Sequence, residues 1–161
     1  MKVKLQDLVE MMDVLHEQAS AHLNKRTGEL IMLTTEELSA AEEDEDPDDY
    51  PEWQRESIEK AREIIDSEDW IELPAKEDIH DYGIMEEFCH SIANPGLSER
   101  LLSTIRGRGA FGRFRGALEA LDLEQEWYDF RAAELEKIAV EWLEENKIEY
   151  TRKAESSTDV N

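Results

Sequence analysis

The chain has 161 residues, 40% of them hydrophobic, and its four Trp, four Tyr and four Phe can anchor one core of ordinary domain size without staples. Asp and Glu number 41 against 18 Lys and Arg, a formal charge of −23. Such a surface repels nucleic-acid phosphates and anionic lipid, and favours cationic partners. One cysteine excludes an intramolecular disulfide, and no apolar run approaches the roughly 20 residues that span a bilayer. Met1–Leu5 runs straight into an amphipathic pattern, not a secretory leader, so a cytoplasmic protein with no membrane association is expected.

Leu5, Leu8, Val9, Met12 and Leu15 recur at helical spacing and predict a helix over 3–18. Ala21–Asn24 and Glu29–Thr34 flank Lys25-Arg26-Thr27-Gly28, a β-hairpin whose turn needs the positive φ that Gly28 supplies. Thr34 with Glu37 three residues on has capping-box spacing and predicts a short second helix, a better start than Thr35, which has Leu38 at that position. Residues 36–52 hold ten acids and no base, broken by Pro47 and Pro51. Counted from Asp44 as a calcium loop, the sixth residue is Asp49 and the twelfth Arg55, where glycine and glutamate are required, so a solvated acidic loop near 40–52 is expected instead.

Ser57, Ile58, Ala61, Ile64 and Ile65 predict a helix over 52–67, and Asp69–Pro74 alternates as a short third strand beside the hairpin. A helix over 77–93 follows, carried by Ile79, Tyr82, Met85, Phe88, Cys89 and Ile92, until Asn94-Pro95-Gly96 breaks it. Further helices are predicted over 97–106, with Gly107 as C-cap, over 110–121, with Phe111 and Phe114 facing inward, and over 124–145. The last has Tyr128, Leu135, Ile138, Ala139, Trp142 and Leu143 on one face, with an edge strand at Ile148–Tyr150 after it. The expected fold is α+β: a mostly helical single domain over 1–150 with a small antiparallel sheet, and a polar tail over 151–161. Phe88, Leu101, Leu102, Phe111, Phe114, Trp127, Leu135 and Trp142 are expected in or near the core.

Against this acidity, Arg100–Leu118 is the longest run without an acid. Within it, Ile105–Gly116 carries Arg106, Arg108, Arg113 and Arg115 and four of the seven glycines. Arginine forks pair with phosphates and carboxylates, and the amides of a glycine-preceded helix start bind anions, so Arg106, Arg108, Gly109, Arg113 and Arg115 are the candidate ligand-binding residues. Phe111 and Phe114 would stack nucleobases if exposed. An equally physical reading makes the glycines a turn between helices, the phenylalanines core and the arginines counter-charges. The stretch matches neither a phosphate loop nor a dinucleotide fingerprint.

No catalytic constellation accompanies it. Glu86 and His90 stand at i, i+4, but spacing places no third metal ligand, so no metal or cofactor is expected. Cys89 lies on an apolar helix face, which keeps a thiol protonated, and no serine has a nucleophile-elbow context.

The sequence resembles uncharacterised protein family 0158, a bacterial family without assigned activity. The residues that carry the resemblance are Leu23–Glu29, Met85-Glu86-Glu87-Phe88, Gly107–Phe111 with Arg113-Phe114, Trp127-Tyr128 and Glu141-Trp142-Leu143, and it extends over about residues 5–150. Members often carry a basic residue where this chain has Gly112 and an acid where it has Gly116. The resemblance implies a cytoplasmic bacterial protein and supplies no cofactor or catalytic residue. The expected function is a non-catalytic interaction protein, binding a protein partner through its acidic surface or its Arg106–Arg115 region. The alternatives are RNA, nucleotide or other anion binding at that region, or an enzyme of unrecognised type.

Overall fold

The structure, a computed structural model, describes residues 2–152. Its contacts divide the chain into two units, one built from Met1–Ile79 with the chain from Ile138 onward, the other from His80–Lys137.

In the first unit, β1 (Val3–Lys4) leads directly into α1 (Leu5–Asp13), which buries Leu5, Leu8, Val9 and Met12 at helical spacing. The helix is shorter than its apolar pattern suggests: Val14 is 61% exposed and its amide folds back to the Met11 carbonyl, while Leu15 is still buried beyond the helix end. β2 (Ala19–Asn24) and β3 (Leu30–Thr34) form the antiparallel hairpin, with Gly28 at φ 83°. The Asn24 carboxamide closes the turn by accepting from the Arg26 and Thr27 amides at 2.8 and 3.1 Å.

Thr34 ends β3 and caps α2 (Thr35–Glu42) with the reciprocal bonds the sequence predicts: its hydroxyl accepts from the Glu37 amide, and its own amide donates to the Glu37 carboxylate. The acidic stretch beyond is pinned by α3 (Glu52–Ile65). Arg62 of that helix donates to the Glu45 carbonyl and pairs with Asp44 at 3.3 Å, and Arg55 donates to the Tyr50 carbonyl at 3.0 Å. The Tyr50 hydroxyl donates to the Glu45 carboxylate, a bond that raises its pKa to about 12. β4 (Trp70–Glu72) pairs with β2, giving a three-stranded antiparallel sheet of order β3-β2-β4. Leu33, Ala41, Ala61, Ile64 and Trp70 share one buried cluster of this unit.

The second unit holds α4 (Asp81–Ser91), α5 (Pro95–Thr104), α6 (Ala110–Leu121) and the first part of α7 (Glu124–Glu145). Asn94-Pro95-Gly96 starts α5 as well as ending α4: the Asn94 side chain accepts from the Gly96 and Leu97 amides, and Pro95 takes the first helical position, where its missing N–H costs nothing. Phe88 meets Phe114 and Trp127 edge-on at 6.2 and 5.4 Å, over Met85, Cys89, Leu101, Ile105, Ala110 and Leu118. Each such aromatic pair adds about 1 kcal/mol beyond its buried area. The last strand, β5 (Tyr150–Thr151), belongs to the first unit and pairs in parallel with β1, apart from the hairpin sheet. Of the expected polar tail, Thr151 is therefore in a strand, and residues 153–161 lie outside the described residues.

Two inward-facing assignments are corrected. Phe111 is 54% exposed and Tyr128 60% exposed. The core side of α6 is Ala110, Phe114 and Leu118 at i, i+4 and i+8, which turns Phe111 about 100° away. On α7 the half-buried Trp127 takes the core contact with Phe114, so its neighbour Tyr128 points outward.

Candidate functional site: the arginine-glycine turn

α5 ends at Thr104 and α6 begins at Ala110, and Gly107 and Gly109 make the turn between them with φ of 79° and 75°. A side chain is strained at either position. Gly109 is the N-cap of α6 and brings no side chain, and the first helical bond runs from the Arg113 amide to the Gly109 carbonyl. The amides of Ala110, Phe111 and Gly112 are thus the orphan donors of this helix start. They point, with the positive end of the helix dipole, toward the turn.

The four arginines of the turn do different things. Arg113 donates from Nε to the Thr104 carbonyl at 3.0 Å and from its two terminal nitrogens to the carbonyls of Arg106 and Arg108. Its guanidinium is committed to the chain's own backbone and closes the turn. Arg106, Arg108 and Arg115 are exposed, and among the described residues no carboxylate pairs with any of them. The structure therefore separates the candidate set into a clamp, Arg113 with Gly109, and three exposed cations in the stretch that also exposes Phe111. The role of Arg113 had no signature in the sequence, because a guanidinium reaching back nine residues to a carbonyl is invisible to spacing rules.

Charge is uneven along the chain. His80–Lys137 carries eleven acids and seven Lys or Arg, a net −4, whereas the remainder carries thirty and eleven, a net −19. The three free arginines thus sit in the less acidic part.

Cys89 lies in the same unit. Cys89 is fully buried, and burial pushes its thiol up to about 11, where it is neither nucleophile nor ligand at neutral pH. Among the described residues no group of three or more His, Cys, Asp or Glu side chains is arranged to hold a metal ion. Nor is any helix long and apolar enough to cross a membrane.

Over residues 3–160 the sequence matches Uncharacterised protein family (UPF0158). The chain belongs to that family. A UPF0158 protein of Pseudomonas aeruginosa is 31% identical over 68 residues, which cover 42% of this chain and 44% of that relative's length. No solved structure matches. Membership of UPF0158 brings no assigned activity, so any function must be argued from the chain's own surfaces.

Proposed function

We propose that this UPF0158 chain is a non-catalytic interaction protein of the bacterial cytoplasm. It presents Arg106, Arg108 and Arg115 around Phe111 to a protein partner with an acidic face. The observation that carries the reading is the exposed Phe111, 54% accessible, in the same stretch as three exposed arginines that pair with no carboxylate among the described residues, in a chain so rich in carboxylates. An aromatic ring among unpaired guanidinium groups is the composition of an interface hot spot. A net charge of −23 works against a polyanion such as RNA at long range.

A second reading has its own support. The three uncapped amides at the start of α6 face the same turn as Arg108, an arrangement that holds a phosphate or carboxylate. Affinity capture from source-cell lysate, with the wild type and an Arg108→Glu/Arg115→Glu variant of equal helix content side by side, tests both. A protein retained by the wild type alone supports the first reading. Nucleic acid or nucleotide retained by the wild type alone replaces it with the second. Identical eluates remove both.

A further inference from the structure

The first unit carries a second surface, opposite in charge to the arginine turn. On α3, Gln54, Ile58, Ala61 and Ile64 face inward. The adjoining face carries Trp53, Glu56, Ser57 and Lys60 at i, i+3, i+4 and i+7, with Ser57 and Lys60 half-buried. Trp53 is 75% exposed, the highest value among the exposed large hydrophobic residues. From Glu56 to Glu63 this face forms one wall of an open groove of about 410 Å³, whose other wall is Glu29 and Ile31 of the hairpin.

The charges in the groove do not balance. Its single cation, Lys60, is held by Glu29 at 3.3 Å and Glu63 at 3.5 Å, with the Trp70 ring 5.4 Å from its ammonium. Glu56 and Glu59 are exposed, and among the described residues neither pairs with a cation. These carboxylates are spread along two turns of helix and do not converge as a metal cage does. Their spacing suits several separate positive charges. One helical turn before Glu56, the exposed Trp53 indole offers a flat face for a guanidinium or ammonium.

We propose that this groove, together with Trp53 one helical turn before Glu56, is a docking site for a basic peptide segment of a partner protein, with Glu56 and Glu59 pairing its Lys or Arg side chains. Charge complementarity selects the occupant: an acidic or nucleic-acid partner meets four glutamates here, and a single divalent ion leaves the indole unused. This inference does not rest on the arginine turn and survives if that reading fails.

The test uses the full chain and a fluorescein-labelled peptide of alternating lysine and alanine, followed by anisotropy at low salt, with spermine and magnesium as competitors. The expected result is saturable binding. Neutralising two charge partners in Glu56→Gln/Glu59→Gln weakens it about tenfold. Trp53→Ala, at unchanged helix content, weakens it at least about fivefold. Bound peptide also shields Trp53 from acrylamide, and this protection vanishes in Trp53→Phe. Glu42→Gln/Glu43→Gln removes the same charge outside the groove and leaves affinity within about twofold. Equal weakening by both double variants would mean attraction to net charge alone and would overturn the proposal. So would binding indifferent to Trp53, or retention of spermine or magnesium without retention of the peptide.

Discussion

The Arg113 side chain reaches back across the turn that precedes its own helix to accept the job of a C-cap for α5, its Nε–H donating to the Thr104 carbonyl at 3.0 Å. With its other nitrogens on the Arg106 and Arg108 carbonyls, one guanidinium satisfies three backbone oxygens at and beyond the helix end. The cluster that looks from its sequence like four equivalent cations is one structural arginine and three surface ones.

That division is measurable as stability. Arg113→Ala should lower the unfolding free energy by about 1–2 kcal/mol, the scale of charge-assisted hydrogen bonds discounted for an exposed side chain. Arg113→Lys should recover little, because an ammonium cannot present a planar fork to three carbonyls. Arg106→Ala, Arg108→Ala and Arg115→Ala should stay within about 0.5 kcal/mol of the wild type. Urea titrations of the four alanine variants compare them directly, and four equal losses would refute the division.

The glycines of the same stretch divide as sharply. Gly109 sits at φ 75°, and a Cβ there would lie 3.2 Å from an Arg113 terminal nitrogen. Gly112 and Gly116 are helical, with nothing within 4 Å of an added Cβ. Alanine at Gly112 or Gly116 should therefore raise stability by about 0.5–1 kcal/mol, since glycine's backbone freedom is lost there without a packing return. Gly109→Ala should lower stability by about 1 kcal/mol or more. Thermal melts of the three variants decide it, and a stabilising Gly109→Ala would contradict the assigned backbone conformation.

Much of this architecture was legible because local chemistry and tertiary structure agree. The capping box at Thr34, the hairpin closed by Gly28, and helices at 110–121 and 124–145 are all where spacing puts them. Periodicity failed where two registers fit one pattern. On α6, spacing from Phe111 through Phe114 to Leu118 is as helical as spacing from Ala110, and only the position of the neighbouring helices selects the second. It also failed where an apolar run outlasts its helix, as at Leu15, buried beyond the end of α1. The candidate site was found as a composition, but the role of each arginine depends on a turn that composition does not describe.

The capping box gives a local test of that agreement. Thr34→Ala removes the acceptor for the Glu37 amide and should cost about 1 kcal/mol, whereas Thr35→Ala, one position on and exposed, should cost no more than about 0.3 kcal/mol. Denaturant midpoints measured at matched slope separate the two. Equal effects would move the start of α2.

Two buried groups set opposite pH limits. The His22 imidazole is buried beside the Ser20 hydroxyl at 2.8 Å, and burial lowers its pKa from 6.5 because the charged ring is disfavoured. Its contribution is complete above pH 6.5 and is lost as pH falls through the lower folded value. Burial raises the Cys89 thiol from 9.0 to about 11, so its contribution is complete below pH 9 and is lost as pH rises toward 11. Unfolding free energies measured against pH should lose the acid-side slope just below pH 6.5 in His22→Gln and flatten between 9 and 11 in Cys89→Ala. Iodoacetamide labelling of native protein at pH 8 should be negligible beside that of unfolded chain. Rapid native labelling would mean that the thiol is reachable and the burial assignment wrong.

The two phenylalanines of α6 allow folding and recognition to be read separately. Phe114 is 3% exposed and lies edge-on to Phe88 and Trp127, so Phe114→Ala should cost about 3–5 kcal/mol and leave a cavity in the second unit. Phe111 is 54% exposed and absent from that core, so Phe111→Ala should cost under about 1 kcal/mol. If the ring serves a partner, the milder variant should be the one that loses capture while its denaturation curve stays near the wild type. If Phe111→Ala destabilises as strongly as Phe114→Ala, the ring belongs to the core after all. If it changes neither stability nor capture, the three arginines must hold their partner without it.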